Sequence, residues 1–382
     1  MRWLVVAGAV AAVFAAALLA VELLLRRWAA SSSGGDARAG HHTHGTLGVS
    51  AYKLSAETIA TRDPAFSAVQ WHELQQYRRS GVMSPERWSP PGQSQRLNRL
   101  SATDFEGQEF SVRSRERTTT DLLPQPQGEV LCLGGSTTFC FEVADQRTWA
   151  SVLQRRLNER GGRPLRVRNL GIGGTPGLER ISTYRLTTQP QAGDIAVFLF
   201  GDNDSGWKQY GIRTGRVHVN LPRPVGLLLR GSRVSELSAW VYGEVAPRFL
   251  RRLAVEMAET TITAAEEAAA WARARGAHVL FVLQPHIFTL ARADDWDRRI
   301  IGHTARDLPI MLQAAYARYR RWIKTSDIAV SATHIFDGES TSPYLGDWAH
   351  VNTRGNELIA EFVFSELEAR GMLGLMERGV VR

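Results

Sequence analysis

Apolar positions recur along this chain in three rhythms, and each predicts a different kind of element. From Trp3 to Val21 no charge interrupts a run rich in Ala, Val and Leu, and Leu23, Leu24 and Leu25 extend it past the single Glu22 to Arg26 and Arg27. A run of that length suffices to span a bilayer, so residues 1–27 are expected to be an N-terminal transmembrane helix. A cleaved leader usually has a shorter apolar core, although Ala29-Ala30-Ser31 would serve as its cleavage site. Short, dense runs follow further along. Val130 to Leu133, Leu165 to Leu170, Asp194 to Phe200 and His278 to Leu283 read as buried strands, with Ile335 and Phe336 as a short fifth. The third rhythm is helical. Trp149, Val152, Leu153 and Leu157 share one face, 249–275 carries Leu253, Met257 and many Ala, and Leu358, Ile359, Phe362, Val363 and Leu367 stripe a closing helix over 353–370. Strand and helix in alternation predict a three-layer α/β/α fold with a mainly parallel five-stranded sheet, which binds ligands beyond the carboxyl ends of its strands.

The aperiodic stretches complete the domain plan. Residues 28–49 are small and polar and read as a flexible linker. His41, His42 and His44 lie in it with no carboxylate or cysteine to complete a metal-binding set. Residues 50–124, with Trp71, Tyr77, Trp88 and the breaker Ser89-Pro90-Pro91-Gly92, read as an irregular lead-in packing on the main domain over 125–382. Two insertions interrupt that domain, near 205–248 (Trp207, Tyr210, Pro222, Pro224, Trp240) and 287–310 (Arg292, Asp294, Asp295, Trp296). Each is either a substrate-selecting lid or a cover for the sheet edge.

Composition narrows the classes. With 44% hydrophobic and 22% charged residues the chain is an ordinary globular protein. Its net charge of +8 comes mostly from Arg scattered among acids, and no nucleic-acid motif accompanies it, so no nucleic-acid partner is expected. Cys132 and Cys140, the only two cysteines, are too few for a disulfide framework and read as buried free thiols, with a bridge between them left open.

Four segments carry the chemistry: Leu133-Gly134-Gly135-Ser136-Thr137, Asn169-Leu170-Gly171-Ile172-Gly173-Gly174, Gly201-Asp202-Asn203-Asp204 and Asp347-Trp348-Ala349-His350. Together they supply a serine nucleophile at a strand-to-helix turn, glycine backbone and an Asn amide as oxyanion donors, and a base with its orienting carboxylate. No Gly-Lys-Ser/Thr follows the first segment, which argues against a phosphate loop. Asp202, Asp204 and Asp347 are a thin set for a metal-dependent phosphoesterase, so neither metal nor cofactor is expected. His286 and His303 are the other imidazoles of the region, and neither has an acid at the matching spacing.

In order and content these segments resemble the blocks of the SGNH or GDSL-like hydrolase superfamily, across roughly residues 125–372. Its Gly-Asp-Ser block corresponds to Gly134-Gly135-Ser136, with Gly135 in place of the common Asp. The resemblance implies a flavodoxin-like SGNH fold and a triad of Ser136, Asp347 and His350. It also implies an oxyanion hole of the Ser136 and Gly174 amides and the Asn203 side chain, Gly171 being the nearer alternative to Gly174. The expected activity is that of a serine esterase on carboxylic esters, either O-acetyl groups of a polysaccharide or acyl esters of lipids or small molecules. A polysaccharide O-acyltransferase using the same site and a non-catalytic glycan-binding module are the alternatives. The positive-inside rule, applied to Arg2 against Arg26, Arg27 and Arg38, mildly favours a cytoplasmic body. The superfamily's envelope branches point instead to a membrane-anchored domain outside the cytoplasm, and that is the expectation adopted.

Overall fold

The computed structural model describes residues 56–78, 104–205, 233–304 and 307–374. The expected anchor at 1–27, the linker at 28–49 and most of the insertion near 205–248 lie outside the described residues. No helix among the described residues is long and apolar enough to cross a membrane. The chain divides into two compact units, Met1–Gly48 with Tyr210–Leu250, and Val49–Gln209 with Arg251–Arg382, and the sheet belongs to the second.

Seven strands form that sheet, in the order β1-β2-β4-β3-β5-β6-β7. The strands are β1 (Val112–Arg113), β2 (Glu116–Arg117), β3 (Gly128–Gly134), β4 (Leu165–Asn169), β5 (Ile195–Phe200), β6 (His278–Leu283) and β7 (Ala329–Ser331). The five from β4 to β7 pair in parallel, and four of them are the strands expected from the apolar runs. Two expectations are corrected. The fifth parallel strand is Ala329–Ser331, whereas Ile335 and Phe336 lie in a turn beyond it. The sheet also has seven strands rather than five, because the lead-in adds the antiparallel pair β1 and β2 at one edge. Those strands are two residues each, too short to show a period. They join through Ser114 and Arg115, which hold φ at 52° and 67° without the glycine or asparagine that usually signals such a turn.

Nine helices are described: α1 (Ala56–Arg62), α2 (Ala68–Tyr77), α3 (Ser136–Phe139), α4 (Trp149–Arg160), α5 (Gly177–Thr187), α6 (Arg233–Arg273), α7 (Asp295–His303), α8 (Asp307–Ile323) and α9 (Thr353–Ala369). The segment 287–310 is therefore more regular than expected. Its helix α7 is announced by a capping box, Asp294 and Asp297 each accepting the other's backbone N–H. Helices α4 and α9 pack on each other beside β4 as one layer, and α5, the 251–273 part of α6 and α8 form another. Arg156 pairs with Glu361 across the first layer. In the second, Tyr184 packs edge-on to Trp271 at 5.3 Å and Trp322 Nε1 donates to Glu266 at 2.6 Å. Phe198 and Phe281 stack at 4.6 Å in the middle of the sheet, with Phe200, Tyr319 and Trp322 around them.

The strand order locates the site. From β3 the chain moves outward to β4, then returns across β3 to β5, so the direction of winding reverses at the carboxyl end of β3. The two connections diverge there and leave a crevice. Ser136 is the second residue after that strand end.

Candidate active site

The first segment turns sharply because its glycines have no room for a side chain. A Cβ on Gly134 would lie 2.1 Å from Thr138 Oγ1 and 2.7 Å from the Leu199 carbonyl, and one on Gly135 would lie 2.5 Å from Asn203 Nδ2. The Asn203 amide thus fills the space an aspartate at 135 would need, which gives a physical reason for the departure from Gly-Asp-Ser. Ser136 opens the one-turn helix α3, and Cys140, at φ 57°, closes it by donating its N–H to the Ser136 carbonyl at 2.8 Å. Both cysteines are free and buried. Burial pushes the Cys140 thiol up to about 12, which leaves it protonated beside the serine.

In the second segment Asn169 ties the glycine turn to the serine helix. Its Nδ2 donates to the Thr138 carbonyl at 2.8 Å and its Oδ1 accepts the Gly171 N–H at 3.0 Å. Gly171 is packed so tightly that a Cβ would lie 2.3 Å from Phe139 N. Its amide is thereby committed within the protein. Gly174, at φ 78°, takes the left-handed conformation that glycine alone adopts without strain.

The third segment hangs from Asp204, which accepts the Gly201 N–H at 2.9 Å and the Leu178 N–H at the start of α5 at 3.2 Å. Burial pushes its carboxyl up to about 6 against the pull of those amides. Asn203 Nδ2 donates to the Thr175 carbonyl at 3.2 Å, which joins the second and third segments. An amide nitrogen carries two N–H groups, so the other one remains for a ligand. Asp202 accepts a buried hydrogen bond from Trp348 Nε1 at 2.7 Å, joining the third segment to the fourth.

The fourth segment is a tight turn built on Asp347. One carboxylate oxygen accepts the Ala349 and His350 N–H groups at 2.9 and 2.8 Å, and the other meets His350 Nδ1 at 2.5 Å. Burial alone would raise the Asp347 carboxyl, but the His350 charge and these hydrogen bonds hold it near 2. Burial conversely lowers the His350 imidazole, and the charges of Asp347 and then Glu142 more than reverse this, to about 10. With Nδ1 held by Asp347, Nε2 is the working edge of the ring. It is buried and makes no hydrogen bond, either to Ser136 or to any other group.

The four segments therefore converge on one crevice, although no hydrogen bond links the serine to the histidine. Two contributors, Glu142 and Gln284, escaped the sequence reading, and a third, Trp348, stood in the fourth segment without a role. Glu142 reaches within 3.8 Å of His350 Nε2. Gln284, at the end of β6, accepts from Thr137 Oγ1 at 2.9 Å. Trp348 is the link to Asp202. Glu142 did carry a signal, as the single charge in the apolar run Phe139 to Ala144. The other imidazoles are employed elsewhere. His286 Nδ1 accepts the Phe288 N–H at 3.1 Å, and burial lowers that ring to about 3, so it is neutral. His303 is exposed at the end of α7. Asp294 and Trp296, in the stretch read as either a lid or a cover for the sheet edge, hold the loop before the fourth segment: Trp296 Nε1 donates to the Tyr344 carbonyl at 3.0 Å and Asp294 pairs with Arg62.

A parallel α/β sheet with a serine turn at its switch point and a carboxylate-held imidazole beside it is the architecture of an SGNH-type hydrolase. The model of the GDSL-like lipase/acylhydrolase family matches residues 132–358, more than half of the chain, and the chain belongs to that family. It is accordingly a hydrolase acting on ester bonds. Solved structures similar to it include a carbohydrate acetylesterase from Sinorhizobium meliloti, at 14% identity over 64% of this chain and 99% of that one, with a TM-score of 0.36. Another is the M. smegmatis aryl esterase, at 15% identity over 63% of this chain and 99% of that one, with a TM-score of 0.36. An α/β hydrolase enzyme from the metagenome of Lake Arreo, Spain, is 16% identical over 65% of this chain and 98% of that one, with a TM-score of 0.38. A search of curated proteins finds no match.

Proposed function

We propose that this protein is a serine esterase in which Ser136 is the nucleophile, His350 the general base and acid, and Asp347 the residue that orients and charges the imidazole. The observation that carries this reading is the Asp347 turn, which accepts two amides and Nδ1 and leaves Nε2 unbonded on the opposite edge. Nε2 takes the Ser136 proton as Oγ attacks the ester carbonyl, then gives it to the departing alcohol. Charge that develops on the carbonyl oxygen is met by the Ser136 and Gly174 amides and the second N–H of Asn203. Gly174 is preferred to Gly171 because the Gly171 amide is already bonded to Asn169. Water activated by His350 then releases the acyl group from Ser136.

The substrates are carboxylic esters. O-acetylated polysaccharides and acyl lipids are the classes that an N-terminal anchor at 1–27 would bring within reach, with the catalytic unit on the extracytoplasmic side. A reporter fused to the carboxyl terminus tests that side: activity of a periplasmic-type reporter supports it, and activity of a cytoplasmic-type reporter overturns it. The esterase reading is tested with a fluorophosphonate probe and a short-chain aryl ester, applied to the wild-type protein and to Ser136→Ala. Labelling and turnover are expected in the first and absent from the second. Equal labelling in both would overturn the assignment.

A further inference from the structure

Glu142 has no place in the triad, yet the fold takes trouble to bury it there. It lies between α3 and α4 at 5% exposure. The backbone on both sides is pinned from the lead-in, as Gln70 Nε2 donates to the Phe141 carbonyl at 2.7 Å and Arg117 Nη2 to the Val143 carbonyl at 2.9 Å. Phe139 and Phe141 pack at 4.4 Å, in a cluster with Leu74, Tyr77 and Phe110. The Glu142 carboxylate faces His350 Nε2 at 3.8 Å, while Asp347 holds Nδ1 at 2.5 Å. The imidazole thus sits between two carboxylates, hydrogen-bonded to Asp347 through Nδ1 and facing Glu142 at Nε2 without a hydrogen bond. A carboxyl buried this deeply is costly unless something compensates it. The charged or titratable groups around it are His350 and Asp347 from the loop before α9, Arg78 at the end of α2, Arg117 from β2 and Cys140 from its own segment. Those around His350 are Asp347, Glu142 and Asp202.

We propose that Glu142 is a positioning residue whose carboxylate, 3.8 Å from Nε2 and not hydrogen-bonded to it, favours the charged imidazole in the resting enzyme, so setting the pH above which Nε2 is free for Ser136. The inference rests on the roles assigned above to Ser136 and His350. The proton on Nε2 is favoured by the Glu142 charge across a 3.8 Å gap, which is longer than a hydrogen bond. Ser136 needs the Nε2 lone pair, which becomes free when that proton passes to Glu142, giving the neutral acid, or leaves to solvent as the pH rises. The Ser136 proton then moves to Nε2 while Oγ bonds to the carbonyl carbon, and the same proton departs with the alcohol when the ester C–O bond breaks. Burial pushes the Glu142 carboxyl up, in keeping with a group that can hold the proton. The sign follows from charge: an anionic Glu142 favours the imidazolium, so the rate rises at higher pH with Glu142 than without it.

The test is the pH profile of kcat/KM on an aryl ester, from about pH 5 to about pH 10, for the wild type, Glu142→Gln and Glu142→Asp. The wild-type acid limb is expected above the ordinary imidazole range. In Glu142→Gln it should fall by at least one unit, about a tenfold gain relative to the plateau at any pH below both limbs. Glu142→Asp, which keeps the charge, should restore most of the wild-type position. Coincident limbs in wild type and Glu142→Gln would overturn the proposal. A readout that needs no variant is the titration of His350 by imidazole 15N NMR in the wild-type protein. Ionisation above the ordinary range supports the proposal, and ionisation at or below about 6.5 overturns it. Ser136→Ala runs alongside. Loss of its turnover with an unmoved Glu142→Gln limb sinks only this inference, whereas turnover retained in Ser136→Ala sinks the esterase assignment itself.

Discussion

The serine turn and the histidine turn meet in one crevice but are held there by different means. Around Ser136 the restraints come from the sheet: Leu170 N bonds to the Cys132 carbonyl at 2.9 Å, Ile172 N to that of Gly134 at 3.0 Å, and Asn169 to that of Thr138 at 2.8 Å. These groups follow the carboxyl ends of adjacent parallel strands, so forming the sheet forms the turn. The His350 turn has no such strand. Among the described residues its only ladder is the isolated bridge Tyr344 to Val351, and it is also anchored by residues far away in sequence. Asp63 Oδ2 accepts the Thr353 N–H at 2.9 Å and its hydroxyl at 2.8 Å. Asn352 Nδ2 donates to the Arg62 carbonyl at 2.8 Å and Ile287 N to that of Trp348 at 2.8 Å. The candidate nucleophile is thus a product of the sheet, and the candidate base a product of the lead-in and the α7 region docking onto it.

That contrast can be broken by substitutions taken from the largest expected effect down. Asp347→Asn keeps the shape of the turn but removes the charge and disturbs the Nδ1 tautomer, so kcat should fall by roughly 10³ to 10⁴, with circular dichroism unchanged. A fall of less than tenfold would show that the turn, and not the charge, is what His350 needs. Asn203→Ala removes the proposed oxyanion donor on the sheet side and should lower kcat by about 10² to 10³ with KM little altered. A pure KM effect would assign Asn203 to substrate binding. Asp63→Ala strikes the other support. Losing a buried carboxylate that caps the amino end of α9 should cost about 1–3 kcal/mol in chemical denaturation. Its local signature is faster amide hydrogen exchange over 344–353, with β3 and β5 still protected. If the strands lost protection equally, the two supports would not be separable.

The lead-in shows where reading the chain in one dimension stops. Its helices α1 and α2 and strands β1 and β2 are short and weakly periodic, so the pattern suggests an irregular segment. In the fold the same stretch buries Glu73, which accepts the Gln108, Glu109 and Phe110 amides, and Arg117, which pairs with Asp145 at 3.0 Å and lies 3.7 Å over the Phe110 ring. Buried charges stay in place only where partners are supplied, and these partners are up to 37 residues apart. No local rule anticipates such pairings. The family's four segments were legible because each is a turn whose glycines and polar residues are dictated within a few positions.

By itself, the amino-acid sequence determined the alternation of strands and helices, four of the five parallel strands, the glycine turns and the identity of the candidate triad. These depend on periodicity and on steric needs a few residues long. Only the tertiary structure decided that Gly135 yields its space to Asn203, that the Gly171 amide is occupied and that Glu142 lies against His350 Nε2. Each of those is a contact between segments whose distance in the chain says nothing of their distance in space, and each is set by which strand ends the sheet order brings together.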